Sequence, residues 1–257
     1  MTSKTVPSGS MAHRLSVMGL LVTLGIVYGD IGTSPLYVMR AIIGATPVIT
    51  TDYIIGAVSC IIWTLTIQTT LKYVVLALRA DNKGEGGILA LYALVRKHGR
   101  GWLYLLAIIG ASTLVADGVI TPSITVLSAI EGLRAYEPST PVIPIAIAIL
   151  TVLFFIQQYG TSAIGKLFGP LMLLWFSMLG ILGLTHVGDS WMILKAFNPW
   201  YAIRLLTTSP EWFLILGAVF LCTTGAEALY SDLGHCGKQN IRVSWAFVKT
   251  MLSCNYL

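Results

Sequence analysis

Charge is what this chain has least of. Asp, Glu, Lys and Arg together make up 11% of its residues, against about 25% in a soluble domain, while 56% are hydrophobic. That balance excludes a soluble globular protein and leaves an integral membrane protein. Histidine is also scarce. None of His13, His98, His186 and His235 stands near the middle of an apolar run, so a transition-metal site lacks its usual imidazole donors. Cys60, Cys222, Cys236 and Cys254 show no C-x-x-C spacing and read as inert packing residues, not ligands or disulfides. The G-x-x-x-x-G-K-[ST] pattern is missing, so the Gly-rich stretch 81–87 reads as a flexible hinge into a short helix at Ile88–Val95 and not as a phosphate loop. With no metal cluster or nucleophile–base set in view, an enzyme is not expected. No cleavable signal peptide is expected either, because the first apolar run is too long and lacks a small-residue cleavage site.

What is there is a succession of apolar runs. A span needs about 20 mostly apolar residues, and seven runs answer to that, at about 15–39, 54–79, 102–131, 142–158, 166–186, 212–234 and 242–257. The net charge of +5 does not signal nucleic-acid binding, because the basic residues sort by loop. Lys4, Arg14, Arg79, Lys83, Arg96, Lys97, Arg100, Lys166, Lys238 and Arg242 fall on one side, and only Arg40, Arg134, Lys195 and Arg204 on the other. The positive-inside rule then puts the N-terminus in the cytoplasm. Residues 1–14 read as a cytoplasmic tail and 15–257 as a transmembrane domain. The last run ends at Leu257 without a cap or basic stop. At about 1.5 Å per residue it falls short of a ~30 Å core, so the expectation is a domain cut within its seventh span.

Three carboxylates lie deep in these runs. Asp30 is near the centre of the first, Asp117 of the third, and Glu227 lies in the inner half of the sixth. An acid at such depth costs roughly 2.5–3.5 kcal/mol on insertion scales and is a functional hypothesis by default. The alternative is a structural ion pair, for which Lys72 opposite Glu227 is the nearest match. Gly29, Gly32 and Pro35 surround Asp30 and weaken the helix there. Irregular backbone at membrane depth needs protein or a water-filled cavity to receive its freed carbonyls. Thr113, Asp117, Thr121, Thr125 and Ser128 recur at steps of four, four, four and three, which is one helical face. Threonines alone would suggest interhelical hydrogen bonds worth about 0.6 kcal/mol each. With Asp117 among them, an ion-lining face is favoured. The sixth run repeats the theme of the first in Thr223-Thr224-Gly225-Ala226-Glu227, and two interrupted spans running in opposite directions suit an inverted-repeat transporter. Asp30 in the break would repel an anion and attract a cation, and nearby neutral oxygens on Thr33, Ser34 and Tyr37 suit a large monovalent ion.

Four stretches carry a resemblance that covers nearly the whole chain: 25–37 (GIVYGDIGTSPLY), 79–89 (RADNKGEGGIL), 119–122 (VITP) with 128–133 (SAIEGL), and 227–235 (EALYSDLGH). In these the chain resembles the potassium uptake permeases, the Kup/HAK/KT family. The resemblance implies an all-α membrane fold of about twelve spans with an amino-acid–polyamine–organocation core, inverted repeats, broken first and sixth helices and a cytosolic C-terminal domain. It implies K⁺ uptake across the bacterial inner membrane with H⁺ as the coupling ion. On that reading K⁺ would be held by Asp30, Tyr37, Thr121 and Thr125, with Asp117 and Glu227 coupling protons. Relatives often carry Glu where Asp117 stands here. No cofactor is expected beyond the transported ions; the expected partners are lipid, K⁺ and a second copy of the chain. The alternatives are an amino-acid or organic-cation permease on the same scaffold, and a non-transporting membrane subunit.

Overall fold

The computed structural model describes residues 15–46, 49–98, 101–157, 161–188 and 190–257. The expected tail at 1–14, with Lys4, His13 and Arg14, lies outside the described residues, as do Arg100 and the side chains of His98 and Lys166. The described residues form helices and turns with no strand; one isolated antiparallel bridge joins Asn82 and Glu85. The chain is all-α, as its composition requires.

The first apolar run is split. Helix α1 (Val17–Val27) starts at Ser16, whose hydroxyl accepts the Gly19 N–H at 3.0 Å, and it ends at Tyr28. The chain then turns through Gly29–Thr33 into a short 3₁₀ turn at Ser34–Leu36 that has Pro35 in its first turn, and resumes as α2 (Val38–Gly44). Breaking a helix exposes backbone groups that must find partners. The indole N–H of Trp175, from α7 (Thr161–Val187), donates to the Gly32 carbonyl at 2.8 Å. The Thr33 hydroxyl donates to the Asp30 carbonyl at 2.7 Å. Phe176, fully buried, fills the space behind Gly32.

The second run is a helix of changing pitch: α3 (Thr51–Thr64) continues as a π-helix at Leu65–Leu76 and a 3₁₀ turn at Ala77–Arg79. Thr70 donates to the Leu65 carbonyl at 3.2 Å and accepts the Trp245 N–H at 3.0 Å, tying the widened segment to a neighbouring helix. After it come α4 (Ile88–Val95), α5 (Trp102–Glu131), which contains Pro122, and α6 (Val142–Gln157). Between the fifth and sixth runs, where no element was anticipated, lie a 3₁₀ segment at Trp191–Phe197 and α8 (Pro199–Thr208). Asn198 caps α8 by accepting the Trp200 N–H at 2.9 Å. The sixth run is also split. Helix α9 (Trp212–Phe220) passes through a 3₁₀ turn at Leu221–Thr223, a break around Gly225, and then α10 (Ala228–Ser231) and α11 (Leu233–Cys236) before α12 (Lys238–Tyr256).

Four helices among the described residues are long and apolar enough to cross a membrane: Thr51–Arg79, Trp102–Ala135, Phe168–Val187 and Trp212–Ser231. The other three of the seven expected runs take different forms. The first is divided by its break, Val142–Ile156 is apolar but shorter, and α12 is long but carries Lys238, Arg242 and Lys249.

The core lies where α1, α3, α7, α9 and α12 meet. Tyr28, Ile31, Ile42, Ile61, Leu65, Phe176, Ile215, Leu229 and Ile241 are almost wholly buried there. Tyr28 stacks on Trp245 with ring centroids 6.1 Å apart, and its hydroxyl donates to the Ile241 carbonyl at 2.7 Å. The α5–α6 hairpin keeps a small cluster of its own at Ile130, Val142 and Ala146. Its outward residues, among them Val115, Val119, Ile143 and Phe155, are exposed and apolar, a surface suited to hydrocarbon.

The stretch 81–87 is not an open hinge. It closes as a tight turn with Lys83 and Gly84 at positive φ, and the Asp81 carboxylate accepts the Gly84 N–H at 2.9 Å and pairs with Lys238. The hydrogen bond from Lys238, aided by that from Gly84, holds the Asp81 carboxyl below its ordinary 3.8. A carboxyl lowered on folding stabilises the fold above its unfolded value and loses that contribution as pH falls below it. The turn is therefore fully braced at neutral pH.

The Trp175 contact yields a stability test. Trp175→Phe keeps most of the ring and removes the N–H, leaving the Gly32 carbonyl without its donor. The expected cost is about 1–3 kcal/mol, read as a lower thermal midpoint in detergent. An unchanged midpoint would show that the carbonyl has another partner.

A carboxylate cluster at two facing helix breaks

The two breaks meet. Gly225 has φ 84°, a conformation that favours glycine, and a Cβ placed on it would sit 2.7 Å from the Asp30 Cβ and 2.9 Å from the Asp30 Oδ2. The missing side chain is what lets the sixth-helix break close on the first. Glu227, two residues further on, stands at the N-terminal end of α10. Helix α5 approaches from a third side. Its Thr125 hydroxyl lies 3.3 Å from that of Thr33, and the Arg40–Glu131 ion pair ties its far end to α2.

This packing gathers the three deep acids. One carboxylate oxygen each from Asp30, Asp117 and Glu227 lies within 4.8 Å of the other two, and all three side chains are half-buried. Three ion pairs occur among the described residues: Arg40–Glu131, Arg204–Asp52 and Lys238–Asp81. None includes a member of the cluster. The alternative Lys72–Glu227 pair is not among them; the Lys72 ammonium lies over the Tyr73 ring, 5.1 Å from its centroid.

The other expected ligands stand close by. The Thr121 hydroxyl, nearly buried, donates to Asp117 Oδ1 at 2.8 Å, so it orients the acid as well as offering a lone pair. Thr125 borders the first break through Thr33. The Tyr37 hydroxyl lies 3.4 Å from that of Ser34. From the cluster a cavity of about 590 Å³ extends between the π segment of α3, α4, α5 and α10, with Asp117 and Glu227 on its wall together with Gln68, Lys72, Thr113 and Ser231.

Charge balance decides what such a cluster can do. Two like charges about 4.8 Å apart repel by about 3–4 kcal/mol at an effective dielectric of about 20, and three carboxylates make three such pairs. They cannot all stay ionised unless a cation or protons offset them. The donor set around them is oxygen only, from carboxylates and hydroxyls, which suits a hard cation.

Sequence reasoning placed the three acids and the hydroxyl stripe in their spans but did not show that they converge. It also missed the lining residues Gln68 and Ser231, and Trp175 behind the break. The π-helix that carries Gln68 and Lys72 on the cavity wall could not be read from the sequence, because its wider pitch is a matter of backbone and tertiary hydrogen bonds and not of residue type.

Fold and site together define a multi-pass helical membrane protein with an acidic cluster where two broken helices face each other. The chain belongs to the family described as the K⁺ potassium transporter integral membrane domain, which it matches over residues 17–257. It is 59% identical over 243 residues to a probable potassium transport system protein Kup of Flavobacterium psychrophilum, covering 95% of this chain and 37% of that protein. Similar proteins of Cytophaga hutchinsonii and Enterococcus faecalis, with the same description, are 55% and 52% identical, each covering 95% of this chain and 38% of theirs. The chain thus spans about two-fifths of the length of these relatives. No solved structure matches it.

Gly225→Ala tests the junction. The left-handed backbone alone costs a residue with a Cβ about 1–2 kcal/mol, and the new methyl must displace Asp30. A clear fall in thermal midpoint is expected in detergent, whereas Gly217→Ala, which meets open space, should leave it unchanged. Equal midpoints for both variants would contradict the contact.

Proposed function

We propose that the chain is the cation-handling portion of a secondary active K⁺ uptake system, with K⁺ and H⁺ moving in the same direction. The observation that carries this reading is the convergence of Asp30, Asp117 and Glu227 at the two facing breaks. K⁺ is the substrate. Asp30, with Tyr37, Thr121 and Thr125, holds it near the membrane midplane, and Asp117 and Glu227 carry protons. Coupling follows from the shared charge. Three carboxylates carry more charge than one K⁺ offsets, so K⁺ at Asp30 and a proton on Asp117 or Glu227 neutralise the cluster together, and the two ions travel together.

The same reading takes the fold as part of an amino-acid–polyamine–organocation core with inverted repeats, whose broken first and sixth helices run in opposite directions. It places the protein in the bacterial inner membrane with its N-terminus in the cytoplasm, in keeping with the loop charges. Lipid and K⁺ are its partners, a second copy is a candidate, and no bound cofactor takes part. An amino-acid substrate is disfavoured, because its carboxylate would face Asp30 at the break.

The experiment uses a chimera in which this chain replaces the matching N-terminal region of the Flavobacterium psychrophilum relative, expressed in a K⁺-uptake-deficient bacterium. The chimera is expected to restore growth at low K⁺ and to take up Rb⁺. Asp30→Asn should abolish uptake with the protein still in the membrane, and Asp117→Asn should flatten its pH dependence. Full uptake by Asp30→Asn would remove that residue from the site, and an unaltered pH profile in Asp117→Asn would remove it as a proton carrier.

A further inference from the structure

The turn at 80–87 makes contacts that the K⁺ site does not require, and they run along α10, α11 and the start of α12. Ala80 accepts a hydrogen bond from the Tyr230 hydroxyl of α10. Gly86 lies against the Tyr230 carbonyl so closely that any side chain there would collide with backbone. Glu85 places its carboxylate on Gly234 of α11, and Gly87 packs on Ser231. Asp81 pairs with Lys238, the first residue of α12. A cation at a helix N-terminus is unfavourable against the helix dipole, so Lys238 gains from a carboxylate brought to it by another segment. Lys83, a non-glycine residue at φ 54°, shows that the turn keeps a costly shape to make these contacts.

The elements joined in this way are the two sides of the acid site. On one side, α10 begins immediately after Glu227, so any shift of Tyr230 or Ser231 moves that carboxylate. On the other, the turn leads into α4, where Ile88 seats its side chain on Gly110 of α5, two helical turns from Asp117. Asp81 and Lys238 are 27% and 39% exposed, and pairs this accessible contribute little to global stability. The effect of this pair is positional.

We propose that the turn at 80–87 is a latch that sets the spacing between Glu227 and Asp117, with Asp81 and Lys238 as positioning residues that seat the turn whose Ala80 and Gly86 hold Tyr230 of α10. The latch ties the half-helix after the sixth-span break to the α4–α5 pair. This inference rests on the proposed cation site, and its contact geometry is testable apart from transport.

Two measurements on the full-length chimera test it. In membranes, with the native cysteines replaced by Ala, Asp81→Cys with Lys238→Cys should be joined by a short bifunctional thiol reagent that makes up the length of the lost lysine stem, while each single substitution should not. Absence of the cross-link, with the double variant present at normal level, would overturn the contact whatever the substrate. In uptake, Asp81→Ala and Lys238→Ala should each raise the Rb⁺ concentration for half-maximal uptake about fivefold, at unchanged protein level. Lys238→Arg, which keeps the cation and leaves the Asp81–Gly84 hydrogen bond in place, should stay within about twofold of the unsubstituted chimera. Unchanged half-saturation in the single alanine variants would overturn the positioning role. Lys238→Arg no better than Lys238→Ala would do so too. If the unsubstituted chimera takes up no Rb⁺, the transport reading fails, and the cross-link still decides the latch contact.

Discussion

Keeping carboxylates at the depth of a lipid bilayer is the constraint on which the rest of this structure depends. One ionised acid there is costly, and three within 4.8 Å add mutual repulsion of several kcal/mol. A protein that needed only a stable bundle would replace them with apolar side chains or pair them with Lys or Arg. Here Lys72 reaches the same cavity but lies on the Tyr73 ring, and the three ion pairs of the described residues lie elsewhere. On the proposed reading the charge is left to mobile cations and protons, and that balance is the coupling.

Much of the surrounding architecture follows from bringing the acids together. A regular helix would keep its backbone groups to itself, so both the first and sixth runs open at glycine-containing breaks. Each opening needs compensation. The Trp175 indole and the Thr33 hydroxyl satisfy carbonyls freed around Asp30, and Gly225 lets the second break close on the first. Helix α5 then supplies Asp117, held by Thr121, from a face that also bears Thr125. Thr125 faces the first break and Thr113 the cavity, while the rest of α5 presents Val115, Val119 and Ile120 outward. One helix thus serves a polar site and an apolar exterior.

The sequence was most legible where composition conflicts with environment. An Asp flanked by Gly and Pro in an apolar run signals a break, and acids and hydroxyls at helical spacing signal a polar face. All-α architecture and both helix breaks could be read in this way, and the family from the resemblance of four stretches of sequence. The convergence of Asp30, Asp117 and Glu227 could not, because nothing in three separate runs fixes their relative rotation or depth. The π-helix at Leu65–Leu76 was hidden because it depends on tertiary hydrogen bonding through Thr70 and Trp245. Helix α8 was passed over because ten residues on a surface connection fall below the length of a span. The turn at 80–87 read as a hinge from its glycines alone, yet Gly86 serves a close approach to Tyr230, visible only once the partner is in place. The alternative of a Lys72–Glu227 pair is not formed although both residues line one cavity, because the Lys72 ammonium lies on the Tyr73 ring.

The most direct test of the account is whether K⁺ and protons enter together. The purified full-length chimera would be reconstituted in proteoliposomes that hold a pH indicator, and an inward K⁺ gradient applied with a permeant anion present. The account predicts K⁺-driven acidification of the lumen that disappears in Asp30→Asn and is reduced in Asp117→Asn. K⁺ entry at the normal rate with no acidification would contradict it.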